Sequence, residues 1–391
     1  MTASVLETPP LPSTTAAPSE RTARTIVREY DHCDSLRHRR REWNALALPM
    51  LGNSHFHSFD WLETYWRHHS PGQRLRILTI ESQFDDGSTR LAGVLPLVVR
   101  RESTRLGSVR TLTYPLHGWG TLYGPIGPDP RTTLHAGMTH LARTKRDFDL
   151  LELRWIEERL AAPTETALSQ NGFAVERGVW FQAHQVDLAA GWDAYWASRT
   201  SHWRTNVRAN EKKLSKAGRV EFVRHRTSAH DDDPRWDLYE ECVEVAAKSW
   251  QGGRDDGTTL SHTQVSEYLR DAHATAARCG AADINLLRVD GRAVAFAYNY
   301  GAPGYVYGVR AGYDPAFREC GVGSVLMRRM LEDSAQRQDG LLDLGPDHAA
   351  AKLPWANRTI DCLKYSHYPR TSWKAWGLWL KRRLANRGSR T

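Results

Sequence analysis

A chain of 391 residues with 40% hydrophobic side chains is long enough for two ordinary domains and can bury a sizeable core. No run of about 18 apolar residues occurs, which excludes a membrane-spanning helix. Five scattered cysteines, Cys33, Cys242, Cys279, Cys320 and Cys362, form no Cys-x-x-Cys and suggest neither a zinc ribbon nor a disulfide framework; a reduced, cytoplasmic setting fits. The net charge of +8 suits an anionic partner, whether a phosphorylated coenzyme, a nucleotide sugar, RNA or a membrane surface.

Residues 1–24, rich in Pro, Thr, Ser and Ala with no apolar core segment, read as a disordered leader and not as a secretory signal. Asp34–Leu46 reads as a basic helix and Ser58–His68 as an aromatic one. His55-x-His57 and His68-His69 resemble metal-ligand pairs, but no carboxylate or cysteine cluster matches them, so no metal is assigned. Leu75–Glu81 and Leu91–Val99 read as strands across the turn at Asp85–Ser88, and Leu106–Tyr114 as a third. A glycine- and proline-rich loop, His117–Pro130, then leads to a helix at Thr132–Arg143 and a buried strand at Asp149–Trp155.

The order strand, strand, glycine-rich loop, helix, strand returns later in the chain. We therefore expect a mixed α/β sheet in two structurally duplicated halves, 25–185 and 186–370, followed by a basic aromatic helix at 371–391. The first copy is expected to bind no phosphate. Its loop, Gly124-Pro125-Ile126-Gly127-Pro128, is interrupted by prolines, which have no N–H to donate. That half is expected to shape the acceptor side.

Trp192–Lys216 reads as one helix with an apolar stripe of Trp192, Tyr195, Trp196, Trp203, Val207 and Leu214. Arg204, Arg208, Lys212 and Lys216 recur every four residues beside it: a solvated face, or a ridge that grasps phosphate on a substrate or nucleic acid. Ile284–Val289 and Ala293–Tyr300 form a hairpin about Asp290-Gly291, and Tyr305–Arg310 a third strand. Then comes Arg318-x-x-Gly321-x-Gly323, running into a helix to about Gln338 and a strand at Leu341–Leu344. Helix starts expose N–H groups and a partial positive charge, and glycine lets an anion approach them. Arg318 would add a charged fork to the same phosphate. Neither a Rossmann turn nor a P-loop fits, since a hairpin strand precedes the motif and no Gly-Lys-Ser/Thr follows.

This pattern resembles the GNAT acyltransferase superfamily, whose pyrophosphate motif Arg/Gln-x-x-Gly-x-Gly/Ala is matched in full at Arg318–Gly323. The resemblance implies a GNAT fold in which Gly321, Val322, Gly323 and Ser324 hold the pyrophosphate of acetyl-coenzyme A or another acyl-coenzyme A. It also implies a pantetheine arm between splayed strands near Val309 and Leu344. Asp343, Lys352 and Trp355, together with Gly93-Val94-Leu95-Pro96-Leu97, are similar to elements of the cellulose-biosynthesis-type branch, which is related to Fem-type aminoacyl transferases. That branch usually has tyrosine where this chain has Ala351.

Acyl transfer to an amine needs a polarised carbonyl and a base. A bulge allowed by Gly308 would offer a free N–H to the carbonyl. Asp343 and His348, at or past a strand end, are the candidate bases; Tyr307 and Tyr365 are the candidate acids. Asp343 has a second reading, as a cap or a partner of Lys352. Arg204, Arg208, Lys352 and Trp355 are the expected acceptor contacts. The expected activity is N-acylation of a small metabolite, sugar or peptide. Two alternatives stand beside it: an aminoacyl-tRNA-dependent transferase, with tRNA as donor, and a non-catalytic coenzyme-binding scaffold. The sequence leaves oligomeric state open. The tail, with Trp373, Trp376 and Trp379 among Lys and Arg, is expected to pack its Trp side on the protein; the other reading is a membrane surface.

Overall fold

The computed structural model describes residues 22–47, 50, 54–104, 107–120, 122–228, 230–250, 252–253, 259–346 and 349–388. Twelve strands are described: β1 (Thr22–Tyr30), β2 (Gln73–Phe84), β3 (Thr89–Thr104), β4 (Gly107–Thr113), β5 (Leu150–Glu157) and β6 (Val175–Asp187) in the first half. The second half holds β7 (Val220–Arg226), β8 (Ala282–Val289), β9 (Arg292–Ala302), β10 (Tyr305–Tyr313), β11 (Leu341–Asp343) and β12 (Arg358–His367). They form one mixed sheet in the order β1-β2-β3-β4-β5-β12-β6-β11-β10-β9-β8-β7.

With β7–β12 matched to β1–β6, that order reads the same from either end. In each half four antiparallel strands lead to a parallel pair, β4 with β5 and β10 with β11, joined across a helix. Tight hairpins force the antiparallel pairs, and the helical crossovers allow the parallel ones. Asp290 and Gly291 both take positive φ, 50° and 79°, as a two-residue turn matched to strand twist requires.

The halves exchange their last strands. β6 pairs with β11 of the second half, and β12 pairs with β5 of the first and with β6. The division expected at residue 185 is thus a boundary in sequence, with both closing strands lying in the neighbouring half. One buried cluster accordingly runs through both halves, from Leu36 and Trp61 to Tyr300 and Tyr365. A second cluster fills the other face of the second half, where Val322, Val325 and Met330 of the helix Val322–Gln336 meet Val207 and Leu214 of the helix Ser201–Ala217.

Several local expectations are corrected. The strand at Thr22 begins inside the segment read as leader, and residues 1–21 lie outside the described residues. The long Trp192–Lys216 helix is two helices, Trp192–Ala197 and Ser201–Ala217, because the Thr200 side chain caps the second one at Trp203 N–H. The C-terminal helix Trp373–Gly388 buries Ala375 and Leu378, whereas Trp373, at 74% exposure, and Trp376 face outward. Its inner face is thus the alanine–leucine side. Among the described residues no helix is long and apolar enough to cross a membrane.

Candidate acyl-transfer site

β10 carries the site. Tyr305, Val306 and Tyr307 run parallel to Leu341, Leu342 and Asp343, after which β11 ends while β10 continues to Tyr313. On its other edge β10 is bulged: Gly308 faces Asn299 and Arg310 faces Tyr298, so Val309 has no partner in the register. A bulge leaves one residue's backbone out of the ladder. Gly308 is needed here because a Cβ would lie 2.7 Å from the Asp343 carbonyl oxygen, where the strands begin to part. The result is a cleft with an unpaired backbone edge at Val309.

The chain then turns through Pro315–Cys320 into the helix Val322–Gln336. Gly321 is its cap, in the left-handed region at φ 60°, ψ 36°, and no side chain caps the helix. Ser324 and Val325 N–H groups return to the Gly321 carbonyl at 2.9 and 3.2 Å. Among the described residues nothing accepts from the Val322 and Gly323 N–H groups. Arg318 is exposed, with no carboxylate paired to its guanidinium among the described residues. Two free donors, a helix N-terminus and an unpaired Arg are the features that an anion site requires.

The matching place in the first half is closed. The helix Pro130–Arg143 is capped by Asp129, whose carboxylate accepts from Arg131 and Thr132 N–H at 3.0 and 3.2 Å. An acidic cap fills the donors and repels phosphate. The gap between β4 and β5 is also plugged, since Tyr123 N–H donates to Trp155 O at 2.8 Å and Ile126 bridges to Val94. Asp129 is the stronger obstacle, beyond the prolines noted in the sequence.

The other predicted residues divide. Asp343 is fully buried and accepts from Gln185 Nε2 (3.1 Å), Tyr305 Oη (3.2 Å) and Gly345 N–H (2.6 Å). Burial holds its carboxyl above the usual carboxylate range, with these donors pulling the other way. Its oxygens are committed to shaping the β11 end, which matches the capping alternative. Tyr307 lies beside Asp343 in register, but its buried ring packs edge-on against Phe56 at 4.9 Å.

Tyr365 is not in the cleft. It lies seven residues along β12 from Arg358, the neighbour of Gln185, so roughly 23 Å from Asp343's register at ~3.3 Å per residue. Its hydroxyl donates to Glu165 at 2.7 Å instead. Strand exchange carried it into the first half. His348 lies outside the described residues.

The Lys352 ammonium donates to the Pro346 carbonyl. Trp355 is buried, edge-on to Trp203 at 4.3 Å, with its carbonyl accepting from Tyr195 Oη at 2.7 Å. It serves as a strut between the β11 loop and the helix Ser201–Ala217. On that helix Arg204 is half-buried and Arg208 exposed. The residue that reaches the turn is Asn210: a Cβ at Gly321 would lie 2.2 Å from its Nδ2. Its place in a run of charged and polar residues gave no sequence signal.

Nor did the sequence single out the wall facing Val309. Arg310 donates to Val309 O at 2.7 Å and to Gly118 O at 3.1 Å, with its guanidinium 4.0 Å over Trp119. The first-half loop thus lines the second-half cleft. Among the described residues no group of three His, Cys, Asp or Glu side chains is arranged to hold a metal ion.

This splayed pair, bulge and glycine-opened helix form the core of a GNAT fold, here present as two tandem copies. A family model, the acetyltransferase (GNAT) domain, matches residues 201–353. No curated protein matches the sequence significantly. Among solved structures, FemX aligns at 12% identity over 84% of this chain and 96% of its own, with a TM-score of 0.58. The C-terminal domain of a protein assigned as lysylphosphatidylglycerol synthetase, from Agrobacterium fabrum, aligns at 10% identity over 88% of this chain and 94% of its own, with a TM-score of 0.53. At such identities the likeness is one of fold.

Proposed function

We propose that the chain is an N-acyltransferase that moves an acetyl or other acyl group from a coenzyme A thioester to an amine. The observation that carries this reading is the pair of unclaimed N–H groups at Val322 and Gly323, next to exposed Arg318 and just past the strand that carries the Val309 bulge. Arg318 and the turn would bind the pyrophosphate, and the pantetheine would run along the unpaired edge of β10. The thioester carbonyl would then accept from Val309 N–H, a fixed dipole that matters most where charge develops. Asp343 acts by holding Gly345 and Tyr305 in place. Free cysteines fit a cytoplasmic setting.

Calorimetry with acetyl-coenzyme A tests the reading: micromolar binding is expected, and no binding overturns it. A second reading, with aminoacyl-tRNA as donor, is favoured by the exposed Arg208, Lys212 and Lys216 on one helix. It predicts tRNA binding that weakens steeply with salt, because each neutralised phosphate releases counterions.

A further inference from the structure

Two histidines from distant parts of the sequence meet beside the bulge. His69 ends the helix Phe59–His69, and His117 lies in the first-half loop; their Nε2 atoms are 2.8 Å apart. Both are half-buried. Tyr65 and Tyr268 pack against both rings at 4.7–5.5 Å. The pair is tied to the acyl-transfer site through Gly118, next in sequence to His117, whose carbonyl shares the Arg310 guanidinium with Val309.

The hydrogen bonds fix where the protons sit. Trp119 N–H donates to His117 Nδ1 at 3.2 Å, so the proton of neutral His117 is on Nε2 and points at His69. His69 Nε2 is therefore the lone-pair nitrogen. The groups facing the pair are Arg100, Arg310, Tyr65, Tyr268 and His68, the last engaged with Asp271 at 2.8 Å. Burial, reinforced by His68 and Arg100, pushes His69 down to about 4; burial and His69 push His117 down as well. Both rings stay neutral near pH 7.

Arg100 adds a second feature. Its guanidinium donates to Tyr65 Oη at 3.2 Å and to the carbonyls of Tyr114 and Leu116 at 3.4 and 2.9 Å. Its Nε is buried without a partner, and no carboxylate pairs with it among the described residues. A half-buried guanidinium bound only to neutral groups is under-compensated, and an anionic ligand would relieve it.

We infer that this cleft is the acceptor site, that it takes an amine carrying a carboxylate in the same molecule, an amino acid or peptide, and that His69 is the base. The inference rests on the coenzyme reading above. The acceptor binds as the neutral amine, its ammonium proton left in solvent, and one N–H replaces His117 as donor to His69 Nε2. The amine lone pair forms the C–N bond at the thioester carbon, and the carbonyl electrons move to oxygen; the nitrogen, now positively charged, gives that proton to His69. Collapse breaks the C–S bond; the sulfur leaves with that electron pair and takes the proton from His69. The products are an amide and the free thiol, with His69 neutral again. Arg100 holds the acceptor carboxylate.

The test follows thiol release from acetyl-coenzyme A by the full-length protein, with each common amino acid compared with its carboxamide. At least one amino acid should turn over tenfold or more faster than its amide. His69→Ala should then lower kcat on the order of 100-fold, leave acetyl-coenzyme A affinity unchanged, and regain rate on addition of imidazole, which a structural role would not permit. Arg100→Gln should raise the acceptor KM and leave kcat nearly unchanged. If acetyl-coenzyme A binds but every amino acid is inert, or amides serve equally well, the acceptor inference is overturned and the coenzyme reading stands. Failure of acetyl-coenzyme A to bind overturns both.

Discussion

Placing a carboxylate at the phosphate turn should separate coenzyme binding from folding. Gly323 is the second residue of the helix Val322–Gln336, and a Cβ there would meet only the Tyr313 ring, at 3.4 Å. Gly323→Glu therefore fits with little displacement. A glutamate in the first turn also favours the helix, by about 0.3–1 kcal/mol, through the macrodipole. Towards a bound pyrophosphate the sign reverses. Two like charges about 5 Å apart at an effective dielectric of 20 repel by about 3 kcal/mol, or roughly 100-fold in Kd. The expected result is a melting temperature unchanged or slightly raised, with acetyl-coenzyme A affinity reduced by two orders of magnitude in calorimetry. Unaltered affinity in a folded variant would refute the assignment of this turn to phosphate.

Three further outcomes follow from the same geometry. Gly321→Ala forces a side chain into the left-handed region and against Asn210 Nδ2, so denaturant unfolding should show a loss of about 2 kcal/mol. Adding Asn210→Ala should recover the part due to contact; a strictly additive double mutant would refute the clash. Asp343→Ala strands Gln185, Tyr305 and the Gly345 N–H, and should cost about 3 kcal/mol or more in the same assay, whereas Asp343→Asn should cost less.

Acid should weaken the fold before carboxylates titrate. Burial pushes the rings of His55, His57 and His273 down to about 4 from an ordinary 6.5. The unfolded chain then binds more protons in that window, so stability is full above pH 6.5 and falls as pH drops toward 4. Each ring contributes up to about 3 kcal/mol. Melting temperatures from pH 7 to 4.5 should show this fall, and His273→Gln should flatten it. A flat wild-type profile would contradict the burial argument.

Local patterns were enough for the part of the site that is contiguous in sequence. Arg318, Gly321 and Gly323 stood out because a helix start, a missing Cβ and a positive charge are properties of neighbours along the chain. Gly308 signalled its bulge for the same reason. The duplication, too, was visible as a repeated order of elements. Residues that act across the sheet left no such trace. Tyr365, named as a candidate acid, lies in the other half because β6 and β12 are exchanged. Asn210, His117 and Arg100 carried no motif, and His69 drew notice only as part of a His-His pair resembling a metal ligand, because what brings each into place is packing between helices or between halves. Hydrogen bonding along one segment is written in its own residues. The order of strands in a shared sheet depends on which buried faces meet, and that is settled only when the whole chain closes on one core.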